Sequence, residues 1–275
     1  MSRLPLFASA LFALSPCPAA QDYTSPYSVK YQFPEEDLIG DLLKGQRGDS
    51  KHEAADPFAT WYNTTNEKRW GHWGPPAFHF PPPAGMSGRG KEWLRERVIA
   101  TALRFAGYSY QHHHVPDWDP PATWKHDPEQ KTPVGKGLDC SNFTAFVYNQ
   151  GLGIKPTGEV VAQSAMTEAP MQGRNIPVQR IELPKTYTEF DRVLKTGDLL
   201  YVTSKAGNVS HVVIWVGRIG HSPDGSPLVL DSTGTGAVDS KGTEIPNGVH
   251  LRPFKPTVWY FKHASHALRI VPDGE

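Results

Sequence analysis

Five of the nine residues from 75 to 83 are proline, in the run "PPAFHFPPP". A stretch with so few amide donors can form neither a helix interior nor a central strand. Sixteen of the 26 prolines in this 275-residue chain fall before position 139, and 26 is nearly twice the ordinary share of about 5%. The front half must therefore hold most of the irregular structure. Residues 21–90 mix aromatics, charges and prolines without a sustained period. Trp61, Trp70 and Trp73 argue that this extension wraps onto a folded body, because disordered tails are poor in aromatics.

The pattern changes at Lys91. "KEWLRERVIATALRFAG" sets Leu94, Val98, Ala102 and Phe105 at helical spacing, with charges predicted on the opposite face and Gly107 as a stop. About thirty residues of loop follow, with five more prolines. A second helix is predicted over "CSNFTAFVYNQGLG", which starts at Cys140 and presents Phe143, Phe146 and Val147 on one face. "DLLYVT", "HVVIWVG", "SPLVLDS" and "VWYFKHASHALRIV" read as strands, rich in β-branched and aromatic residues. Helices followed by a run of strands predict an α+β fold with an antiparallel sheet.

Lysine plus arginine and aspartate plus glutamate both number 28. The resulting zero formal charge lacks the basic excess of a nucleic-acid binder. The length is enough to bury a core without disulfides or a structural metal. The first residues, "MSRLPLFASALFALSPCPAAQ", carry one arginine, a short apolar run and small residues. They read as a secretory signal peptide covering residues 1–20, which predicts a periplasmic or extracellular protein. The apolar run is too short to span a bilayer, and no later stretch approaches the ~20 residues needed. Pro16 before Cys17 disfavours lipidation there, because that position calls for a small residue.

Signal cleavage would remove Cys17 and leave Cys140 as the only thiol. Oxidising compartments disfavour a lone thiol, so this one needs a reason. Cys140 follows Asp139 at a predicted helix start, where free N–H groups and the helix dipole favour a thiolate nucleophile. A base and an orienting group must then lie within reach. His211 opens one predicted strand and Asp231 closes the next. If those strands pair antiparallel across "RIGHSPDGS", the two side chains meet, and the carboxylate holds the imidazole in the required tautomer. His221 and His250 are rivals for the orienting position. "HHH" at 112–114, with Asp117 and His126, has no metal-ligand spacing and reads as loop. "GMSGRGKE" and "GTGAVD" imitate phosphate- and dinucleotide-binding motifs but lack required residues, and both read as turns.

"LDCSNFTAFVY", "TGDLLYVTSKAGNVSHVVIWVG", "LVLDSTGTG" and the closing "VHLRPFKPTVWYFKHASHALRIV" resemble, in order, the motifs of the NlpC/p60 family of bacterial cell-wall cysteine peptidases. "RFAGYSY" resembles the family's Gly-x-x-Tyr turn, and "PTGEVVAQ" resembles its Pro…Gln segment. The likeness runs from about Lys91 to Val271. It implies a reduced papain-like core over residues 91–275, preceded by the signal peptide and by an irregular Pro- and aromatic-rich extension over 21–90. Carried over residue by residue, Cys140 is the nucleophile, His211 the general base and Asp231 the orienting group. Tyr108 stands beside the oxyanion site, and Asp139 and Ser141 flank the nucleophile where the substrate is read. Asp231 stands where the family usually has His, Asn142 where it usually has Gly, and "QHHH" where it usually has Gly-Gly.

The resemblance implies hydrolysis of an amide bond in peptidoglycan stem peptides through a Cys140 thioester, with no cofactor and no metal. An acyltransferase, or an amidase on another substrate, would keep the same Cys–His–Asp site. A non-catalytic wall-binding module would place the work on the aromatic extension instead.

Overall fold

The structure is a computed structural model that describes residues 23–46, 64–70, 78–108, 110, 138–234 and 236–271. The sequence-predicted signal peptide, Cys17, Trp61, Trp73, the His112–His114 cluster with Asp117 and His126, and most of the loop that follows Tyr110 lie outside the described residues. In chain order the elements are β1 (Ser28–Val29), α1 (Glu35–Leu43), α2 (Thr64–Trp70), a 3-10 turn at Met86–Gly88, α3 (Lys91–Leu103), α4 (Cys140–Leu152) and α5 (Val160–Ser164). Then come β2 (Glu168–Met171), β3 (Arg174–Pro177), β4 (Gln179–Ile181), α6 (Phe190–Val193), β5 (Leu199–Thr203) and β6 (Val209–Trp215). The chain closes with β7 (Gly220–His221), β8 (Leu228–Thr233), β9 (Ala237–Val238), β10 (Glu244–Ile245), β11 (Gly248–Pro253), α7 (Trp259–Lys262) and β12 (Ala264–Arg269).

A six-stranded antiparallel sheet, ordered β11-β8-β6-β5-β12-β4, organises the molecule. Its central strands are apolar on both faces because both faces are covered. Leu199, Tyr201, Val212, Ile214, Leu228 and Leu230 pack beneath α3 and α4, against Val98, Ile99, Phe143, Phe146 and Val147. Leu200, Val202, Val213, Trp215 and Val229 face the other way, onto Phe190, Phe254 and Tyr260. The segment 258–262, predicted as the start of a strand, is instead the short helix α7. Its aromatics fill the gap beside Trp215 and Phe254, so packing overrides their β preference. The edge strand β11 escaped the sequence reading because "GVHLRP" mixes His250, Arg252 and Pro253 among its apolar positions.

The extension contains regular elements that its mixed composition hides. β1 pairs antiparallel with β7, and α1 packs Leu38, Ile39 and Leu42 on Trp93 and Ala100 of α3. The expected charged outer face of α3 is corrected, since Arg95, Glu96 and Arg97 are all buried, Arg95 against Thr196, Asp198 and Val271 and the other two against this docked segment. Glu96 accepts the Gln32 amide at 2.8 Å, and Arg97 pairs with Asp41 at 2.7 Å. The proline run is tied to α4 as well. The Phe80 amide donates to Asn149 Oδ1 at 3.0 Å, and Asn149 Nδ2 donates to the Phe78 carbonyl at 2.6 Å. Prolines cannot make a strand ladder, so side-chain amides provide the attachment instead.

Candidate active site

Cys140 is the first residue of α4 and is buried. Asp139 caps the helix. Its carboxylate accepts the Asn142 amide at 2.8 Å and Asn142 Nδ2 at 2.7 Å, as expected of a cap residue. The Ser141 hydroxyl donates to the Gly158 carbonyl at 2.6 Å. Both flanking side chains thus make local bonds that fix where the helix begins. Gln163, wholly buried at the end of the "PTGEVVAQ" segment, braces the same turn. Its amide donates to the Ser141 and Thr157 carbonyls, and its oxygen accepts from Thr144 and Tyr201.

β6 and β8 pair antiparallel in the register Ile214↔Leu230 and Trp215↔Val229. That register puts His211 and Asp231 on one face of neighbouring strands. His211 Nε2 lies 2.7 Å from Asp231 Oδ2, and the imidazole is near enough to Cys140 to feel the charge on its sulfur. With Nε2 engaged by the carboxylate, Nδ1 is the nitrogen left for sulfur. Burial alone would push His211 down. The charge on the nearby sulfur and the hydrogen bond with Asp231 outweigh it, raising the imidazole from 6.5 to about 10. Burial likewise works to raise the Asp231 carboxyl. Arg252, His211 and Tyr260 together overcome it and hold the group below its ordinary 3.8.

Asp231 is fully enclosed. Oδ1 accepts from Arg252 Nε at 2.9 Å, and Oδ2 accepts from the Tyr260 hydroxyl at 2.8 Å as well as from His211. The two rivals sit elsewhere. His221 lies on β7, paired with Ser28. His250 pairs across from Asp231 but sets its ring edge-on to Tyr23 at 5.6 Å. Burial and the Arg252 charge push His250 down to about 4, so it is neutral near pH 7.

The two tyrosines of "GYSY" occupy different surroundings. The Tyr108 ring packs edge-on to Phe105 at 5.4 Å, while its carbonyl accepts the Val249 amide. The Tyr110 hydroxyl feels the charges of Cys140, Asp139 and Asp231. Burial first, and then those charges, raise it. Its ring covers Gly234, where an added Cβ would come within 3.1 Å. The Gly-x-x-Tyr spacing counted from Gly107 lands on Tyr110, and that count was the available signal for it. Arg252 and Tyr260 were missed as well, because their strand and helix could not be read locally.

Among the described residues no group of three or more His, Cys, Asp or Glu is arranged to hold a metal ion. No described helix is long and apolar enough to cross a membrane.

Residues 124–239 match the model of the NlpC/P60 family. Two solved structures are similar. One is an NlpC/P60 family protein from Bacillus cereus ATCC 10987, at 21% identity over 70% of this chain and 42% of that one, with a TM-score of 0.38. The chain therefore spans less than half the length of that protein. The other is the NlpC/p60 domain of the peptidoglycan hydrolase SagA, at 20% identity over 64% of this chain and 97% of that one, with a TM-score of 0.36. No curated protein matches the chain.

Proposed function

Residues 124–239 match the model of the NlpC/P60 family, and from that premise we propose that the chain is an exported cysteine hydrolase cutting an amide bond in peptidoglycan stem peptides. One observation carries the reading: a buried thiol at a helix start faces an imidazole whose far nitrogen is 2.7 Å from a buried carboxylate. That order of groups suits nucleophilic catalysis.

In this mechanism Cys140 gives its proton to His211 Nδ1, and the sulfur attacks the scissile carbonyl carbon. The tetrahedral oxyanion is met by the Cys140 backbone N–H, which has no partner within the first turn of its helix. The Tyr110 hydroxyl, close enough to sense the sulfur's charge, is the second donor, and we assign it the place that the family resemblance assigned to Tyr108. His211 passes its proton to the leaving amine, and a thioester remains on Cys140. Water, deprotonated by His211, attacks the thioester and releases a carboxylate and the free thiol. Asp231 stays ionised throughout and holds Nε2. Asp139 and Ser141 fix the helix start, and on this reading they border the bound stem peptide.

Export is part of the proposal and rests on residues 1–20. Digestion of purified peptidoglycan by the mature chain and by Cys140→Ala, with mass spectrometry of the soluble fragments, tests the chemistry. Defined stem-peptide fragments from the wild type and none from the variant are expected. Equal release by both, or release by neither, would overturn it.

A further inference from the structure

The chemistry proposed above uses Cys140, His211 and Asp231, all inside the matched segment 124–239. Behind Asp231 the fold buries two polar groups from beyond that segment. Arg252 is wholly buried. Its Nε donates to Asp231 Oδ1 at 2.9 Å, and Nη2 donates to the Pro246 and Gly248 carbonyls at 2.8 and 3.2 Å. Its Nη1 is also buried and has no hydrogen-bond partner among the described residues. Buried ion pairs seldom repay their desolvation, and an apolar side chain of similar volume would spare the orphaned donor. Packing therefore does not account for this arginine. Tyr260 donates to Asp231 Oδ2 at 2.8 Å, the same oxygen that takes His211 Nε2 at 2.7 Å. Its ring stacks on the imidazole, 6.0 Å between centroids and 18° between planes.

We propose that Arg252 and Tyr260 are positioning residues that set how tightly Asp231 holds the proton on His211. This rests on the hydrolase reading. In that mechanism the imidazole must take a proton from sulfur and then release it to the leaving amine. A bare buried carboxylate beside an imidazolium would bind that proton too strongly for the second step. The guanidinium draws charge from Oδ1, and the phenol shares Oδ2. Both weaken the hold.

The groups facing Asp231 are His211 from β6, Arg252 and His250 from β11, Tyr260 from α7, and Tyr110. His250 is neutral near pH 7, and burial keeps both phenols protonated. The balance is therefore struck among Asp231, Arg252, His211 and the sulfur of Cys140.

The test is a histidine-labelled NMR titration of the full chain carrying Cys140→Ala, which removes the sulfur's charge and brings the His211 midpoint down into an accessible range. The His211 signal is assigned by its loss in His211→Gln. Adding Tyr260→Phe should raise the midpoint by about one pH unit, the value of one hydrogen bond to a charged group. Arg252→Met should raise it further, and Arg252→Lys should restore part of the difference. Tyr260→Phe keeps the stacked ring, so the test survives even if Arg252→Met fails to fold. An unchanged or lowered midpoint in folded Tyr260→Phe overturns the proposal. The titration uses no substrate, so failure of the wild type to cut peptidoglycan would overturn the hydrolase reading and leave this result standing.

Discussion

The Ser232 hydroxyl donates to the Leu138 carbonyl at 2.5 Å, tying the residue after Asp231 to the residue two before Cys140. Ninety-four positions of sequence separate the two ends of this bond. It fixes the loop that delivers the thiol relative to the strand that delivers the carboxylate. Ser232→Ala leaves a buried carbonyl without its donor, which costs about 1–3 kcal/mol. We expect a lowered unfolding midpoint, and a loss of turnover larger than that stability change alone would cause at a temperature where the variant is folded. Thermal unfolding and initial rates on peptidoglycan, measured side by side, check this.

Asp231→Ala and Asp231→Asn should differ in stability more than in activity. Removing the carboxylate strands the buried Arg252 guanidinium, and an uncompensated buried charge costs about 3–5 kcal/mol. Asparagine keeps the shape and an acceptor oxygen, so it should lose less stability. Both variants release the imidazole from its orienting charge, and hydrolysis should fall about 10²–10⁴-fold. Urea denaturation separates the two effects. If both variants kept wild-type stability, Arg252 would not be balanced by the Asp231 charge.

The pH dependence of stability has a defined window. His211 is raised from 6.5 to about 10 in the fold, so its contribution is complete below pH 6.5 and is lost as pH rises through about 10. Asp231 is held below 3.8, so its contribution is present above that value and is lost as pH falls through its lowered one. Between pH 6.5 and 10 the wild type should therefore lose denaturant stability relative to His211→Gln. Denaturant midpoints of the two proteins at intervals across that range measure it. Parallel curves would mean that His211 is not charged in the fold.

The site's chemistry was partly visible in the sequence because its central groups are polar residues set at a helix start or against apolar strand runs. Cys140 follows a capping aspartate, and His211 and Asp231 interrupt apolar runs, although β6 begins at Val209 and β8 continues to Thr233, so neither residue is at a strand end. Arg252 and Tyr260 were hidden for a physical reason. Arg252 looks like a solvent residue until β11 pairs with β8 and turns it under the sheet. Tyr260 belongs to an aromatic run that local preference assigns to a strand and that packing against Trp215 and Phe254 makes a helix. The same failure recurs at Arg95, Glu96 and Arg97. Glu96 and Arg97 are covered by the segment around α1, and Arg95 by Thr196, Asp198 and Val271, all remote in sequence. Periodicity reports what one element needs covered; it does not report which distant segment covers it.

Gly153 closes α4 with φ +71°, and a Cβ there would meet the backbone of Pro82 at 2.5 Å and of Pro81 at 2.8 Å. His79 Nε2 also lies 3.0 Å from the Gly153 carbonyl. The proline run thus rests directly on the end of the helix whose start carries the thiol. Gly153→Ala brings both left-handed strain and a clash with backbone that cannot rotate away. A loss of about 2–4 kcal/mol is expected on those two counts. Asn149→Ala, which removes the other attachment, should cost about 1–3 kcal/mol. Thermal melts of both variants check the strap. If Gly153→Ala melts with the wild type, the proline run is not seated on α4.

Tyr110 and Tyr108 provide the sharpest test of the oxyanion assignment, because they are two residues apart and chemically identical. Tyr110 is electrostatically coupled to Cys140 and Asp231, and the Tyr108 ring lies edge-on to Phe105. A hydroxyl that stabilises the tetrahedral intermediate acts on the transition state more than on the bound substrate. Its removal should lower kcat with little change in KM. Tyr110→Phe should therefore reduce kcat on peptidoglycan about 10²–10³-fold, the usual cost of one oxyanion donor. Tyr108→Phe removes a hydroxyl that the proposed chemistry does not use, and its effect on kcat should be far smaller. The reverse ranking would return the oxyanion role to Tyr108. It would require the 107–110 turn to shift when substrate binds.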